Sequence, residues 1–231
     1  MQQVFRDVFK NHLIKIFVDE NPEDPRKWDN MSTMVCFHRR YNLGDKHEYK
    51  KHDYTSWEDL EKNIIEDNGP CLIYPLYLYD HSGISISMGK DREKGWDSCC
   101  VGFIFISYAK IRQEYSVKRI TKKTLARAQK CLEAELKTYD EFLTGEVYGF
   151  QVFDSPEDDN EIESCWGFYG EIDGEYSALA EARRIVNDRT DVFRNAIREG
   201  IKQAEARQKD ELADKLDVAL EHQKELNMAG V

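Results

Sequence analysis

The sequence predicts an α+β fold, in which a mostly antiparallel sheet of about six strands is covered on one face by helices and followed by a helical C-terminal appendage. Residues 71–107 hold the densest apolar runs of the chain, and their lengths and residue types are typical of strands. Two segments, Thr55–Asn68 and Lys122–Leu143, carry apolar residues three or four positions apart, which indicates amphipathic helices. Beyond Glu175 the chain has helical propensity and no Pro.

Four further segments, in the N-terminal part of the chain, complete the predicted sheet or connect its strands. Met1–Lys10 is predicted to be either a short helix or the leader of a strand at His12–Asp19, because its apolar residues have helix-like spacing. A second strand is predicted at Thr33–Arg39, and the polar segment Tyr41–Asp53 is predicted to be a loop.

The central stretch contains three predicted strands, Cys71–Tyr79, Ile84–Met88 and Cys99–Ile106. Residues 80–83 form a tight turn between the first two, since Gly83 can adopt a positive φ. Two more strands, Glu146–Asp154 and Glu161–Tyr169, are predicted to form a hairpin around an acidic loop.

Residue types at the helix ends predict where the helices begin and stop. Thr55 and Glu58 have the spacing of a capping box, and Gly69 is expected to end that helix. Ser107 is expected to cap a short helix over Tyr108–Tyr115, and Thr121 the long helix that Gly145 closes.

Glycine and aromatic residues recur side by side on the predicted strands, a pattern in which an aromatic ring covers a bare glycine on the neighbouring strand. We therefore expect four aromatic side chains at or near the core: Trp96, Phe103, Trp166 and Phe168.

The C-terminal segment differs in composition from the rest, which predicts a division into an α+β domain at residues 1–174 and a charged helical segment at 175–231. Its first half has an apolar face, and its second half a narrow stripe formed by Leu212, Leu216, Ala219 and Leu220. Such a stripe suits helix pairing, so the segment is predicted either to self-associate or bind a partner, or to be a solvated tail.

The composition limits the classes of function that the chain can have. The 231 residues carry a net charge of -11, which argues against nucleic acid or an anionic membrane as the main binding partner. The chain has no apolar run of transmembrane length and no signal-peptide pattern. Its six cysteines lie mostly in apolar runs, which predicts reduced, buried thiols in a cytoplasmic protein. We expect the protein to need no cofactor.

Several long words of the sequence recur in the same order in a known family: MVCFHRRYNLGDKH, LYLYDHSGISIS, WDSCCVGFIFIS, KRITKK, TYDEFLTGEVYGF and SCWGFYG. Through these segments, which span about Thr33 to Gly170, the chain resembles a family of uncharacterised proteins encoded by bacteriophages and mobile elements. The resemblance implies a small cytosolic accessory protein made in a bacterial host, and no catalytic residue follows from it. Members often have Gly-Gln where this chain has Cys99 and Cys100, which argues against catalysis by those thiols.

Two groups of residues could carry chemistry. The first is a set of imidazoles and carboxylates that could hold a divalent metal and activate water, as in a metal-dependent hydrolase or nuclease: His38, Asp45, His47, His52, Asp53 and His81. The second is Cys99 or Cys165 as a nucleophile, with His81 as base and Asp97 as its orienting group. The alternatives are a polar loop packed on the sheet and buried, inert thiols.

Two charged runs are candidates for partner binding. Lys118, Arg119, Lys122 and Lys123 stand at a predicted helix start, where they could hold a phosphate or an acidic partner or simply be solvated. A second run is acidic and could imitate the phosphates of a nucleic acid, or be a solvated turn. It comprises Glu157, Asp158, Asp159 and Glu161, with Glu163, Glu171, Asp173 and Glu175 nearby.

These observations lead to a functional prediction of a phage-encoded, non-enzymatic accessory protein that binds and modulates a host bacterial protein, such as a component of an anti-phage defence system. Acidic mimicry of nucleic acid is one way in which it could act. The metal-dependent hydrolase or nuclease is the alternative.

Overall fold

The computed structural model describes residues 1–89, 98–157 and 160–228, with the backbone alone at residues 98, 213, 214, 217 and 219–228. In this part of the chain, eight strands form two antiparallel sheets and four α-helices accompany them. The strands are β1 (Gln3–Phe9), β2 (His12–Val18), β3 (Thr33–Cys36), β4 (Cys71–Asp80), β5 (Ile84–Met88), β6 (Ser98–Ser107), β7 (Val147–Phe153) and β8 (Glu161–Tyr169). The helices are α1 (Trp57–Asn68), α2 (Tyr108–Glu114), α3 (Lys122–Thr144) and α4 (Ala178–Met228).

The first sheet has the strand order β1-β2-β7-β8. The N-terminal segment is a strand rather than a helix, because Lys10 and Asn11 both adopt positive φ and turn the chain back so that Phe9 pairs with His12. Leu13, Ile14 and Ile16 of β2 are buried, and β2 pairs with β7 from Leu13 to Val18.

The second sheet has the order β3-β6-β4-β5 and separates two apolar clusters. Successive residues of β6 point to opposite faces: Ile104 and Ile106 pack with α3, whereas Phe103 and Phe105 pack with Leu60 and Ile64 of α1. The expectation that both helices cover the same face is therefore wrong, since α1 and α3 lie on opposite faces of this sheet.

The α+β class and the helical C-terminus are confirmed, but the strands of the described residues form two sheets of four rather than one sheet of about six. The pairing of β7 with β2 joins residues far apart in sequence, and no local pattern shows it. The strand predicted at Thr33–Arg39 ends at Cys36.

Helix ends follow the residue types closely, with one shift. Ser107, Thr121 and Gly145 cap α2 and α3 as expected. The cap of α1 is Ser56, whose Oγ accepts the N–H of Asp59, so the predicted box of Thr55 and Glu58 is wrong by one residue. Thr55 still contributes, since its N–H and hydroxyl donate to the Asp59 carboxylate.

The chain divides into two compact units, residues 1–180 and 181–231, and α4 begins at the end of the first unit. No helix in the described part of the chain is long and apolar enough to cross a membrane.

Candidate interaction surfaces

Asp45, a candidate metal ligand, is held in a part-buried ion pair. Its carboxylate accepts hydrogen bonds from Nε and Nη2 of Arg26 at 2.8 and 2.7 Å, and from the Met34 N–H at 2.8 Å. Only 3% of the Arg26 side chain is exposed, and its Nη1 lies 3.7 Å from Glu135. Asp45 therefore anchors the loop before α1 to β3. Both of its carboxylate oxygens already accept hydrogen bonds, which leaves little capacity to bind a metal.

Glu135 on α3 extends this polar network. Its carboxylate accepts the N–H groups of Met31 and Ser32 at 2.7 and 3.0 Å, and the Ser32 hydroxyl as well. Tyr139, one turn further along α3, accepts the Gly44 N–H at 2.9 Å, and burial raises the pKa of Tyr139 to about 12. These contacts explain why polar residues of the helix face the core cluster.

The candidate histidines lie in separate contacts. His47 Nε2 donates to the Cys36 carbonyl at 3.2 Å, and its ring packs edge-on against Phe37. His38 stacks on Tyr41 with ring centroids 4.9 Å apart, while His81 lies in the exposed β4–β5 turn.

No group of three or more His, Cys, Asp or Glu side chains in the described ranges could hold a metal ion. His52 contacts its neighbour Asp53 and is exposed. Asp80, beside His81, forms an ion pair with Arg40 and accepts the Tyr41 hydroxyl at 3.2 Å. Asp97 lies outside the described residues, so its part in the proposed catalytic set is not described.

The two candidate nucleophiles are exposed, which corrects the expectation that they are buried. Cys99 and Cys165 both lie on strands at positions that face solvent. In the part of the chain that the structure describes, neither thiol contacts a histidine within hydrogen-bond distance, and no disulfide joins the six cysteines. Cys36 is buried, and burial followed by the charge of Asp45 raises its pKa to about 12.

An aromatic cavity of about 310 Å³ opens at the start of α1. Phe37, Tyr54 and Trp57 contribute to its wall, and the Lys51 Nζ lies 5.9 Å from the centre of the Trp57 ring. Its size is at the lower end of small-molecule sites, and the predicted His and Asp residues do not line it. The cavity therefore offers no support for the hydrolase.

The basic run forms an exposed surface. Residues 108–130 contain eight Lys and Arg residues and a single acid, Glu114. We define the basic surface as Arg112 on α2, Lys118 and Arg119 in the connection to α3, and Lys122 and Lys123 at the start of α3. All five are exposed, and none pairs with a carboxylate among the described residues.

The acidic run forms a second exposed surface in the same unit. Residues 131–175 contain fourteen Asp and Glu residues, with Lys137 as the single Lys or Arg. We define the acidic hairpin surface as the exposed side chains Glu146, Glu157, Glu161, Glu163, Glu171 and Asp173. Within the described ranges none of them forms an ion pair with Lys or Arg, and Glu161 accepts the Gln151 amide at 2.7 Å. Asp158 and Asp159 lie outside the described residues.

The charges near the base of the hairpin act on Lys137. Its pKa is raised, first by its hydrogen bond to the buried Glu141 at 2.9 Å and then by the nearby charges of Glu171 and Glu146. One lysine thus stands among several carboxylates at this end of the hairpin, which leaves a strong negative charge facing solvent.

Trp166 lies on the edge strand β8 between the acidic positions. Its ring covers Gly149 of β7, the residue that pairs with it, and lies 6.2 Å from the Phe17 ring. The aromatic-over-glycine expectation is confirmed at Gly149, yet 37% of Trp166 is exposed, so the expectation that it lies at or near the core is wrong. Phe103 is buried as expected, Phe168 is half-buried, and Trp96 lies outside the described residues.

Sequence reasoning missed Arg26 and Glu135, which organise the polar network around Asp45. Arg26 follows a proline in a charged loop, and Glu135 is one of many acids on a helix, so neither stands out by type or spacing.

Comparison of the chain with models of protein families, with characterised proteins and with solved structures finds no match.

Proposed function

We propose that this chain is a non-enzymatic accessory protein that binds a host bacterial protein in the cytoplasm through its acidic hairpin surface. The observation that carries the proposal is the uncompensated charge of that surface, whose carboxylates are exposed and unpaired with Lys or Arg in the described part of the chain. A phage origin and a target in an anti-phage defence system follow from the family resemblance and belong to the same proposal.

The chemistry of the partner follows from the surface. Carboxylates spread along a hairpin present negative charge at intervals, as a nucleic acid backbone does, and attract a groove lined by Lys and Arg. Trp166, exposed on the same strand as Glu161 and Glu163, adds the kind of amphipathic aromatic that anchors protein interfaces. The partner that fits is a host protein with a basic, nucleic-acid-binding groove, and the chain inhibits that protein by occupying the groove.

The experiment is affinity capture from a lysate of the bacterial host with three forms of the full chain. The first is wild type, the second carries Glu157→Gln, Glu161→Gln and Glu163→Gln, and the third carries Asp29→Asn, Glu48→Gln and Glu66→Gln. The third set removes the same charge from exposed positions outside the hairpin. Thermal melts establish that all three forms are folded.

We expect wild type and the matched control to retain the same host protein, and the hairpin variant to lose it. The retained protein is expected to bind nucleic acid and to be released by about 0.5 M salt, since salt of that concentration screens exposed charges. Equal retention by all three forms, or no retained protein at all, contradicts the proposal.

A further inference from the structure

The second unit of the chain exposes an apolar stripe along α4. Phe193, Ile197 and Ile201 follow one another at intervals of four residues, and Leu212 and Leu216 continue the same face after eleven residues, or about three turns. These five side chains are between 46% and 69% exposed. Apolar side chains aligned in this way on a helix surface are typical of a helix that pairs with another.

Charge is divided along the same helix. By sequence, residues 189–209 carry six Lys and Arg residues against three acids, whereas residues 210–225 carry six acids against Lys215 and Lys224. By sequence, the first of these stretches is therefore net positive and the second net negative. The charges of a partner helix must complement this polarity.

We propose that α4 pairs with the α4 of a second copy of this chain in antiparallel orientation. The antiparallel arrangement lays the basic half of each helix against the acidic half of the other, whereas a parallel one opposes like charges. The register that sets Ile201 against Leu212 and Ile197 against Leu216 lays residues 189–203 of each helix beside residues 210–224 of the other, so the basic half meets the acidic half. This pairing is independent of the acidic hairpin surface and its host partner.

Sedimentation of the full chain over a range of concentrations tests the pairing. Wild type is expected to form a dimer. Arg198→Glu, Lys202→Glu and Arg207→Glu together make the basic half acidic, and Asp210→Lys, Glu211→Lys and Asp217→Lys together make the acidic half basic. Each triple variant is expected to weaken the dimer at least tenfold in Kd, and the combined six-fold variant to restore it, because opposite charges face each other again only in the antiparallel pair.

Two uncharged substitutions separate the apolar stripe from its surroundings. Ile201→Asn is expected to weaken the dimer at least tenfold, whereas Val192→Asn, at an exposed position off the stripe, is expected to leave it unchanged. Circular dichroism establishes that α4 remains helical in each variant. A monomeric wild type, triple variants that dimerise as wild type does, or a six-fold variant that stays monomeric overturns the proposal.

Discussion

Two ion pairs of the same chemical kind differ in what surrounds them. The Arg26 side chain is 3% exposed and holds Asp45 by two hydrogen bonds, while the Arg40 side chain, which pairs with Asp80, is 54% exposed. A buried charge that loses its partner keeps the cost of its desolvation, whereas an exposed one returns to water. Asp45 is thus explained by its contribution to stability, although a carboxylate near histidines in sequence also has the residue type of a metal ligand.

We predict that Asp45→Ala lowers the free energy of unfolding by about 3–5 kcal/mol, because it leaves Arg26 buried without its main acceptor. The matched substitution Asp80→Ala is predicted to cost less than about 1 kcal/mol, since Arg40 is largely solvated. Urea denaturation of both variants measures the two values. Equal losses would mean that burial does not distinguish the pairs.

Thiol reactivity is predicted to follow exposure and pKa. At pH 8 an aromatic disulfide reagent should modify Cys99 and Cys165 first, because both are exposed. Cys36 should be slowest, because burial and the Asp45 charge raise its pKa to about 12 and leave little thiolate at that pH. Burial, together with the charge of Glu135, also slows Cys131 by raising its pKa to about 11.

The control for this titration is the double substitution Cys99→Ser and Cys165→Ser, which should remove the two fast thiols alone. In denaturant the unreduced protein should show six thiols in total. A fast-reacting Cys36, or a count below six, would be inconsistent with the structure.

At the scale of the element, local patterns predicted most boundaries. β5 and β8 have the predicted limits, and α3 runs one residue further because Gly145, in the left-handed region, ends it. The errors arose where two signals compete or where partners are distant in sequence. Thr55 and Ser56 can both cap a helix, and nothing local in β7 identifies β2 as its neighbour.

The β7–β8 pair provides an element-scale prediction through Gly149 and Trp166. A Cβ at Gly149 would lie 2.1 Å from Cε3 of Trp166, so Gly149→Ala should cost about 1–3 kcal/mol by displacing the ring. In a Trp166→Ala background the same substitution should cost nearly nothing, a coupling that a double-mutant cycle in urea measures. Trp166→Ala alone should lower the free energy of unfolding by less than the loss of about 3–5 kcal/mol that is typical when a fully buried Trp is truncated.

Gly102→Ala is the matched control, because there a Cβ would meet the Val35 carbonyl oxygen at 1.8 Å, with φ at +153°. That contact is with backbone, so trimming Trp166 cannot relieve it. If Gly149→Ala remained costly without Trp166, the glycine would be required for a reason other than the ring above it.

At the scale of the whole molecule, charge is divided into regions. The basic surface and the acidic hairpin surface adjoin along the sequence of the first unit, and a net charge of -11 conceals both. The acidic run was visible in the sequence, since charge counts need no fold. That Glu161, Glu163 and Trp166 are exposed on an edge strand of a sheet required the three-dimensional arrangement.

The most direct test of nucleic-acid mimicry is a displacement titration on the captured host protein, first loaded with a fluorescent duplex. Added wild-type chain is expected to release the duplex at one chain per binding site, and the variant Glu157→Gln, Glu161→Gln, Glu163→Gln to release it at least tenfold less effectively. The matched control, Asp29→Asn, Glu48→Gln, Glu66→Gln, should act as wild type. A complex that holds the duplex and the chain together would contradict the account, because the acidic hairpin surface would then not occupy the groove.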